Sequence, residues 1–333
     1  MLRLRFKMGK TRKILLIDFS SDEALVLSEL LSKEGYSAKI MGPGEEAPPA
    51  GKTDSLISIH NVSPVKTGSD SKEIEVTKKE LQKALDQKEF TLYFQPVIDL
   101  ANNKLAGFES LIRWNHPEKG IVPPDEFIPS SEETGMILPI GNWIIDEALL
   151  VLKNWQETFN INSLFKIGIN LSAKQFLLED ISESIIKKIE DAKIPPQNVA
   201  LEITESAFME DMEQANLALL TFKSKGIPLY LDDFGTGYSS LTYLLHFPVD
   251  TLKIDKSFVE WMHIDDQSRE IVRSVASLAQ NLNMKTVAEG IETIEHAEMA
   301  RSFGCNLGQG YYFSKPLPLD KATELIAKYF DCI

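Results

Sequence analysis

The sequence predicts an α/β protein: a modified (β/α)8, TIM-like barrel with one antiparallel strand, preceded by a short incomplete α/β segment. Three observations predict it. Strand-like and helical stretches alternate from residue 90 onward, the pattern of a parallel sheet covered by helices. The strand-like runs number eight, enough to close a barrel. The connection between the first two, residues 99–103 (DLANN), is too short for a crossover helix, because parallel pairing needs about a dozen residues or more. Those two strands are therefore antiparallel.

The N-terminal elements come first. KILLIDF (13–19) reads as a short buried strand. The stretch after it has a capping residue at Ser20 or Ser21, apolar residues at helical spacing (Ala24, Leu27, Leu31), and Gly35 as a stop. SAKIM (37–41) offers a second strand and LISIH (56–60) a third. This strand–helix–strand opening resembles the start of a response-regulator receiver domain. Only Asp18 stands where that family has an acidic pair, and no Asp follows the third strand as phosphoacceptor. Residues 1–60 are read as a truncated receiver-like segment, not a working phosphorylation switch. Residues 42–53 and 61–73 are rich in Pro, Gly and Ser, and 61–75 is assigned as linker. Thr77-Lys78-Lys79-Glu80 is a capping box that opens a helix carrying Leu81, Ala84 and Leu85 on one face. The barrel domain is assigned to 76–333.

Its strands are FTLYFQPVI (90–98), KLAGFESLI (104–112), FKIGINL (165–171), NVALEIT (198–204), IPLYLDD (227–233), DTLKID (250–255), MKTVAEG (284–290) and a last one near GYYF (310–313). Helical stretches lie at 142–157, 180–192, 212–225, 239–246, 267–281 and 292–303.

Composition bounds the function. The chain has 333 residues, is 43% apolar and has a net charge of −14. Residues 1–80 hold 13 basic and 12 acidic side chains, so the acidity belongs to the barrel. That argues against a binder of long nucleic acid, which needs a basic face. Two cysteines make no disulfide framework, and a reduced, cytoplasmic protein is the natural reading. The basic N-terminus lacks the apolar core of a signal peptide, and no run approaches the ~18 apolar residues of a membrane span. The five histidines show no zinc-ligand spacing.

The C-terminal ends of the strands hold the chemistry. The second strand ends at Glu109, the third at Asn170, the fourth at Glu202 and Glu205, the fifth at Asp232 and Asp233. The sixth offers Lys253 and Asp255, the seventh Glu289, and the last region Gln309. This rim is where barrel enzymes place their catalytic groups. Singly, each acid reads as a surface carboxylate or a helix cap, and Asn170-Leu171-Ser172 as a cap for the next helix. Together, carboxylates from separate strands repel one another unless cations sit between them. Oxygen-only ligands suit hard ions such as Mg2+ or Mn2+. Neighbouring strand residues point to opposite faces, so Asp232 and Asp233 share a site only if the strand ends or kinks there. Phe234-Gly235-Thr236-Gly237 supplies glycines for that kink. Lys253 is unusual at such a rim unless paired, with Asp255 or Glu289 as candidate partners.

Residues 75–330 resemble the EAL domain family of cyclic di-GMP phosphodiesterases. The matching stretches are FQPVIDL (94–100), ESLIRW (109–114), PPDEFIPSSEETGMI (123–137), INLSAKQF (169–176), LEITES (201–206), LDDFGTGYSSL (231–241), LKIDKSF (252–258), VAEGIE (287–292) and QGYYFSKPL (309–317). The resemblance implies a metal-dependent hydrolysis of cyclic di-GMP to linear pGpG, with two Mg2+ or Mn2+ ions. It implies metal ligation by Glu109, Asn170, Glu202 and Asp232, with Asp233 helping to hold a second ion. Lys253 would contact the attacking water or the bridged site. Glu289 would be a base or its supporting partner. Glu205 would anchor the DFGTG loop. Gln95, Leu111, Arg113 and Gln309 would line the substrate site. A homodimer through the barrel is also implied. The departure is Glu109-Ser110-Leu111 where the family signature reads Glu-Ala-Leu; Ser is close to Ala in volume, and its cost depends on whether the hydroxyl finds a partner. A non-catalytic cyclic di-GMP receptor is the alternative function.

Overall fold

A computed structural model describes residues 13–17, 37–41, 58–59, 76–204, 207, 212–235, 244 and 247–332. Internal contacts divide the chain into Met1–Glu73 and Ile74–Ile333. In the first unit, β1 (Lys13–Ile17), β2 (Ser37–Met41) and β3 (Ser58–Ile59) form a parallel sheet in the order β2-β1-β3. Its strands fall within the runs KILLIDF, SAKIM and LISIH that the sequence offered as strands. The helix expected between β1 and β2, and the 61–75 linker, lie outside the described residues.

The second unit opens with α1 (Lys78–Asp86), whose capping box is complete: Thr77 accepts from the Glu80 amide, and Glu80 accepts from the Thr77 amide at 2.8 Å. Then come β4 (Phe90–Asp99), β5 (Lys104–His116) and β6 (Gly120–Val122), followed by α2 (Ile128–Thr134) and α3 (Ile137–Thr158). The alternation continues through β7 (Lys166–Leu171), α4 (Ala173–Phe176), α5 (Ile181–Ala192), β8 (Val199–Thr204), α6 (Met212–Ser224) and β9 (Leu229–Phe234). It closes with β10 (Thr251–Ile254), α7 (Lys256–Val259), α8 (Asp266–Asn281), β11 (Lys285–Ala288), α9 (Ile294–Ser302), β12 (Leu307–Gly308) and α10 (Leu319–Ile326). The helix expected at 239–246 lies outside the described residues.

Eight strands, β4, β5 and β7–β12, close a barrel, with β6 added as a hairpin outside it. Every neighbouring pair from β5 through β12 around the barrel is parallel. β4 alone runs the other way, antiparallel to both β5 and β12. The short connection therefore has the consequence expected of it. The core lies between strands and helices: Trp155 of α3 packs at 5.1 Å from Phe94 and 5.4 Å from Phe108, ring centre to ring centre. Such burial of large aromatic surface is the main attraction holding helix to barrel.

Several boundaries differ from the sequence reading: β5 runs on to His116, α3 begins at Ile137, and β6 and α2 were not expected. The last strand is Leu307–Gly308, and GYYF (310–313) is not a strand. At Gly310 (φ 156°) a Cβ would stand 2.1 Å from the Ile291 carbonyl oxygen, so the chain turns against the Ile291 backbone there. Tyr312 N–H donates to Ile291 O at 2.9 Å. The aromatic run favours a strand by propensity, but this turn turns Tyr311 and Tyr312 outward to solvent.

Candidate active site

The barrel's C-terminal mouth gathers the acids. One carboxylate oxygen from each of Glu109, Glu202 and Asp232 lies within 4.8 Å of the others, and so do those of Asp232, Asp233 and Glu289. They arrive on β5, β8, β9 and just beyond β11, because parallel register stacks the strand ends level: Asn170 pairs with Glu202, and Thr204 with Asp232. Glu109, Glu202 and Asp232 are buried.

Lys253 stands in the middle of this cluster, 2% exposed. Its Nζ is 2.5 Å from Glu202, 2.8 Å from Glu289, 3.0 Å from Asp232 and 3.6 Å from Glu109. Burial alone would lower the lysine's pKa, yet the four carboxylates hold it well above the usual range. The ammonium is therefore fixed as a cation. The sequence offered Asp255 or Glu289 as its partner; Glu289 is one, whereas Asp255 caps α7 by accepting from the Ser257 amide.

One cation among four carboxylates leaves negative charge unanswered. Burial, with the Glu109 and Asp232 charges, pushes Glu202 well above the usual carboxylate range, although Lys253 pulls the other way. Burial raises Glu289 to about 8, again against Lys253. Asp233 is raised to about 6 by partial desolvation and by Asp232 and Asp255. The partner of the buried Glu202 Oε2 is the Lys253 ammonium at 2.5 Å. An acid-rich, oxygen-only donor set in which the carboxylates outnumber the cations fits a hard divalent cation.

The Asp232-Asp233 pair is explained by a bulge. Between β9 and β10, Leu231 faces Leu252 and Phe234 faces Ile254, so β9 carries one extra residue. Asp233 absorbs it with φ 53°, a left-handed conformation that Asp tolerates. The sequence placed the kink on the glycines that follow; the structure places it on Asp233, with Gly235 (φ 102°) continuing the turn.

A set of amides orients the carboxylates. Asn170 donates to Glu109 Oε1 at 2.8 Å, while Ser172, not Asn170, caps α4. Gln309 donates to Glu109 Oε2 at 2.7 Å and to Gln95 Oε1 at 3.1 Å. Gln95 and Gln309, which the resemblance implies as substrate contacts, also form a chain that aims Glu109. Leu111 lines the mouth, a cavity of about 390 Å3 that also takes in Gln95 and Gln309. Arg113 is not among its lining residues: it sits two positions farther along β5, over the Tyr93 ring at 5.7 Å, with Nη1 donating to Ile112 O. Glu205 and Thr236-Gly237 lie outside the described residues.

Several residues with site contacts escaped the sequence reading, Glu260 and Glu292 at the mouth among them. Tyr311 and Lys256 line the mouth. Gly168 lies beneath Glu202, where a Cβ would stand 1.9 Å from Glu202 Oε1. A glycine inside a strand is the signal that points to such a close approach.

Ser110 finds its partner: Oγ donates to Gly168 O at 2.6 Å, tying β5 to β7 beside Glu109. Ser110→Ala is expected to lower stability by about 1 kcal/mol, or roughly 2–4 °C in Tm, with little change in site geometry. Thermal unfolding monitored by circular dichroism checks this; an unchanged Tm would contradict it.

The raised acids also set a pH dependence for the metal-free protein. An acid raised in the fold stabilises most below its unfolded value and gives that up as pH rises through its folded value. Asp233 acts from 3.8 to about 6, and Glu289 from 4.5 to about 8. Stability in chelator is therefore expected to fall from pH 5 to pH 8, and Glu289→Gln to flatten the slope. Urea midpoints across this range measure it; a rise in the wild type would contradict the account.

Comparison with known proteins follows this geometry. The EAL domain family matches residues 78–316. MucR of Pseudomonas aeruginosa, named a bifunctional diguanylate cyclase/cyclic di-GMP phosphodiesterase, is 35% identical over 248 residues, covering 74% of this chain and 36% of MucR. PdeR of Escherichia coli, named a cyclic di-GMP phosphodiesterase, is 34% identical over 238 residues, covering 72% of this chain and 35% of PdeR. The chain thus spans about a third of the length of these relatives. The solved structure of the PaMucR phosphodiesterase in complex with c-di-GMP superposes with a TM-score of 0.70 at 35% identity, covering 73% of this chain and 98% of that one. The chain belongs to the EAL domain family.

Proposed function

We propose that this chain hydrolyses cyclic di-GMP to linear pGpG at the C-terminal mouth of the barrel. The observation that carries the reading is the meeting of Glu109, Glu202 and Asp232 from three strands around one buried lysine. Glu109, Asn170, Glu202 and Asp232 would hold one divalent cation, Mg2+ or Mn2+, and Asp232 with Asp233 a second. Such cations supply charge stabilisation to phosphoryl oxygens and a water that deprotonates near neutral pH.

The chain's own residues do the rest. Gln309 and Asn170 fix both Glu109 oxygens, so that carboxylate needs no reorganisation during reaction. Glu289 and the other acids hold the Lys253 ammonium in place, where it offsets negative charge developing on the phosphoryl group. Water oxygen bonds to phosphorus as the bond to the ribose 3′ oxygen breaks. One water proton ends on that 3′ oxygen, leaving a 5′-phosphate and a 3′-hydroxyl. Leu111 and Arg113 would hold the nucleotide, Arg113 offering paired donors to a guanine edge or a phosphate.

The reading extends to a homodimer through the barrel, a cytoplasmic location, and a division into a truncated receiver-like segment (1–60), a linker (61–75) and the barrel (76–333). Among the described residues no helix is long and apolar enough to cross a membrane. Calorimetry with cyclic di-GMP, joined to chromatography after adding Mg2+ or Mn2+, tests the function. Binding with linear product supports the enzyme; binding without product establishes the receptor instead.

A further inference from the structure

The two mouths of the barrel differ in charge. At the N-terminal mouth, away from the acid-lined one, lies a second cavity of about 280 Å3. Its inner wall is made by Ala106, Gly107, Gly168 and Ala200, where barrels ordinarily pack bulky branched side chains in layers. Gly168 is bare because Glu202 takes the space a side chain would fill, so the layer beneath the acids stays open. Tyr230, buried, completes the wall.

The rim holds Lys104, Lys166 and Lys285, the first residues of β5, β7 and β11. None of the three is in an ion pair among the described residues. That is notable in a chain with a net charge of −14. The nearby carboxylates are committed elsewhere. Asp99 Oδ1 accepts from the Ala101 amide at 2.9 Å, and Asp250 is held by Lys223 at 2.5 Å and by the Leu229 amide at 2.8 Å. Glu202 closes the floor, paired at 2.5 Å with the Lys253 that it shares with three other carboxylates. Lys166 is half-buried, its Nζ donating to Gln197 O at 3.1 Å. Burial and the Lys285 charge hold its pKa below the usual lysine range, with Asp250 opposing.

We propose that this N-terminal mouth is a binding site for a small phosphate-bearing anion. Three lysines line one cavity and none of them is in an ion pair among the described residues, although Asp99 and Glu202 also line it; an anion there relieves the lysines' mutual repulsion. Lysine serves phosphate as a point charge on a flexible stem, so three strand starts can close on one group. The volume is near the lower end of small-ligand sites, about 300 Å3, and suits phosphate, pyrophosphate or a small phosphomonoester. The site stands independently of the function proposed for the other mouth.

The test is calorimetry on the full chain in chelator, titrating inorganic phosphate, then pyrophosphate, then glycerol phosphate as the ester. Saturable one-site binding of at least one probe is expected. Lys166→Gln with Lys285→Gln should weaken it at least about tenfold, the loss of charge-assisted bonds. Lys104→Gln with Lys285→Gln removes only exposed side chains, so it should weaken binding in a chain whose folding is not in question. Glu109→Gln should leave binding intact. No saturable binding by any probe would overturn the proposal. So would binding unchanged in both lysine variants, or binding lost in Glu109→Gln, which would place the anion at the other mouth.

Discussion

Lys253→Met is expected to cost the metal-free barrel about 3–5 kcal/mol, the usual penalty for removing one partner from a buried charge cluster. The lysine touches four carboxylates within 3.6 Å and is, among the described residues, the one cation in an ion pair with any of them. Without it, the acids must take up protons or repel one another across a site that water reaches poorly. Methionine keeps most of the volume, so the loss reads charge and not packing. Adding Mn2+ should recover part of the lost stability, because a cation binding only the folded state shifts the balance by mass action. Turnover should fall by on the order of 10²–10³-fold even with metal present. Urea unfolding in chelator, then in Mn2+, measures the first two effects. An unchanged midpoint in chelator would show that the carboxylates do not depend on Lys253.

Glu109→Ala is expected to have the largest effect on activity, a fall of at least roughly 10³-fold in turnover. Three groups converge on this side chain: Asn170 and Gln309 donate to its two oxygens, and Lys253 approaches to 3.6 Å. Removing it takes away a cation-facing carboxylate and deprives the half-buried Asn170 amide and the buried Gln309 amide of their carboxylate acceptor, Gln309 keeping only Gln95. Glu109→Gln separates these losses. Glutamine keeps the shape but drops the charge, so its stability should stay nearer wild type while turnover still collapses. Initial rates with cyclic di-GMP give the answer, and retained turnover in Glu109→Gln would refute the ligand assignment.

Much of the fold was legible because the barrel is built from local rules. Strand–helix alternation marked the parallel sheet, and the short connection between β4 and β5 dictated the one reversed strand. The acids at the strand ends pointed to their mouth because parallel strands bring their ends level. What sequence could not reveal depends on distant contacts. The bulge at Asp233 shows only in its register against β10. The crowd around Lys253 gathers residues from positions 109, 202, 232 and 289, whose proximity no local pattern encodes. The resemblance implies that Gln309 lines the substrate site; that closure of β12 onto β4 also brings it to Gln95 and Glu109 shows only in the fold. The last strand was misplaced because aromatic propensity at 310–313 was outweighed by the close approach of Gly310 to Ile291.

The most direct test of the central claim is hydrolysis in heavy-oxygen water. Purified chain, Mn2+ and cyclic di-GMP are mixed in labelled water, and the products are separated and weighed by mass spectrometry. The account predicts linear pGpG carrying one labelled oxygen on its 5′-phosphate, and no such product from Glu109→Gln. Cyclic di-GMP recovered intact, or linear product without the label, would contradict it.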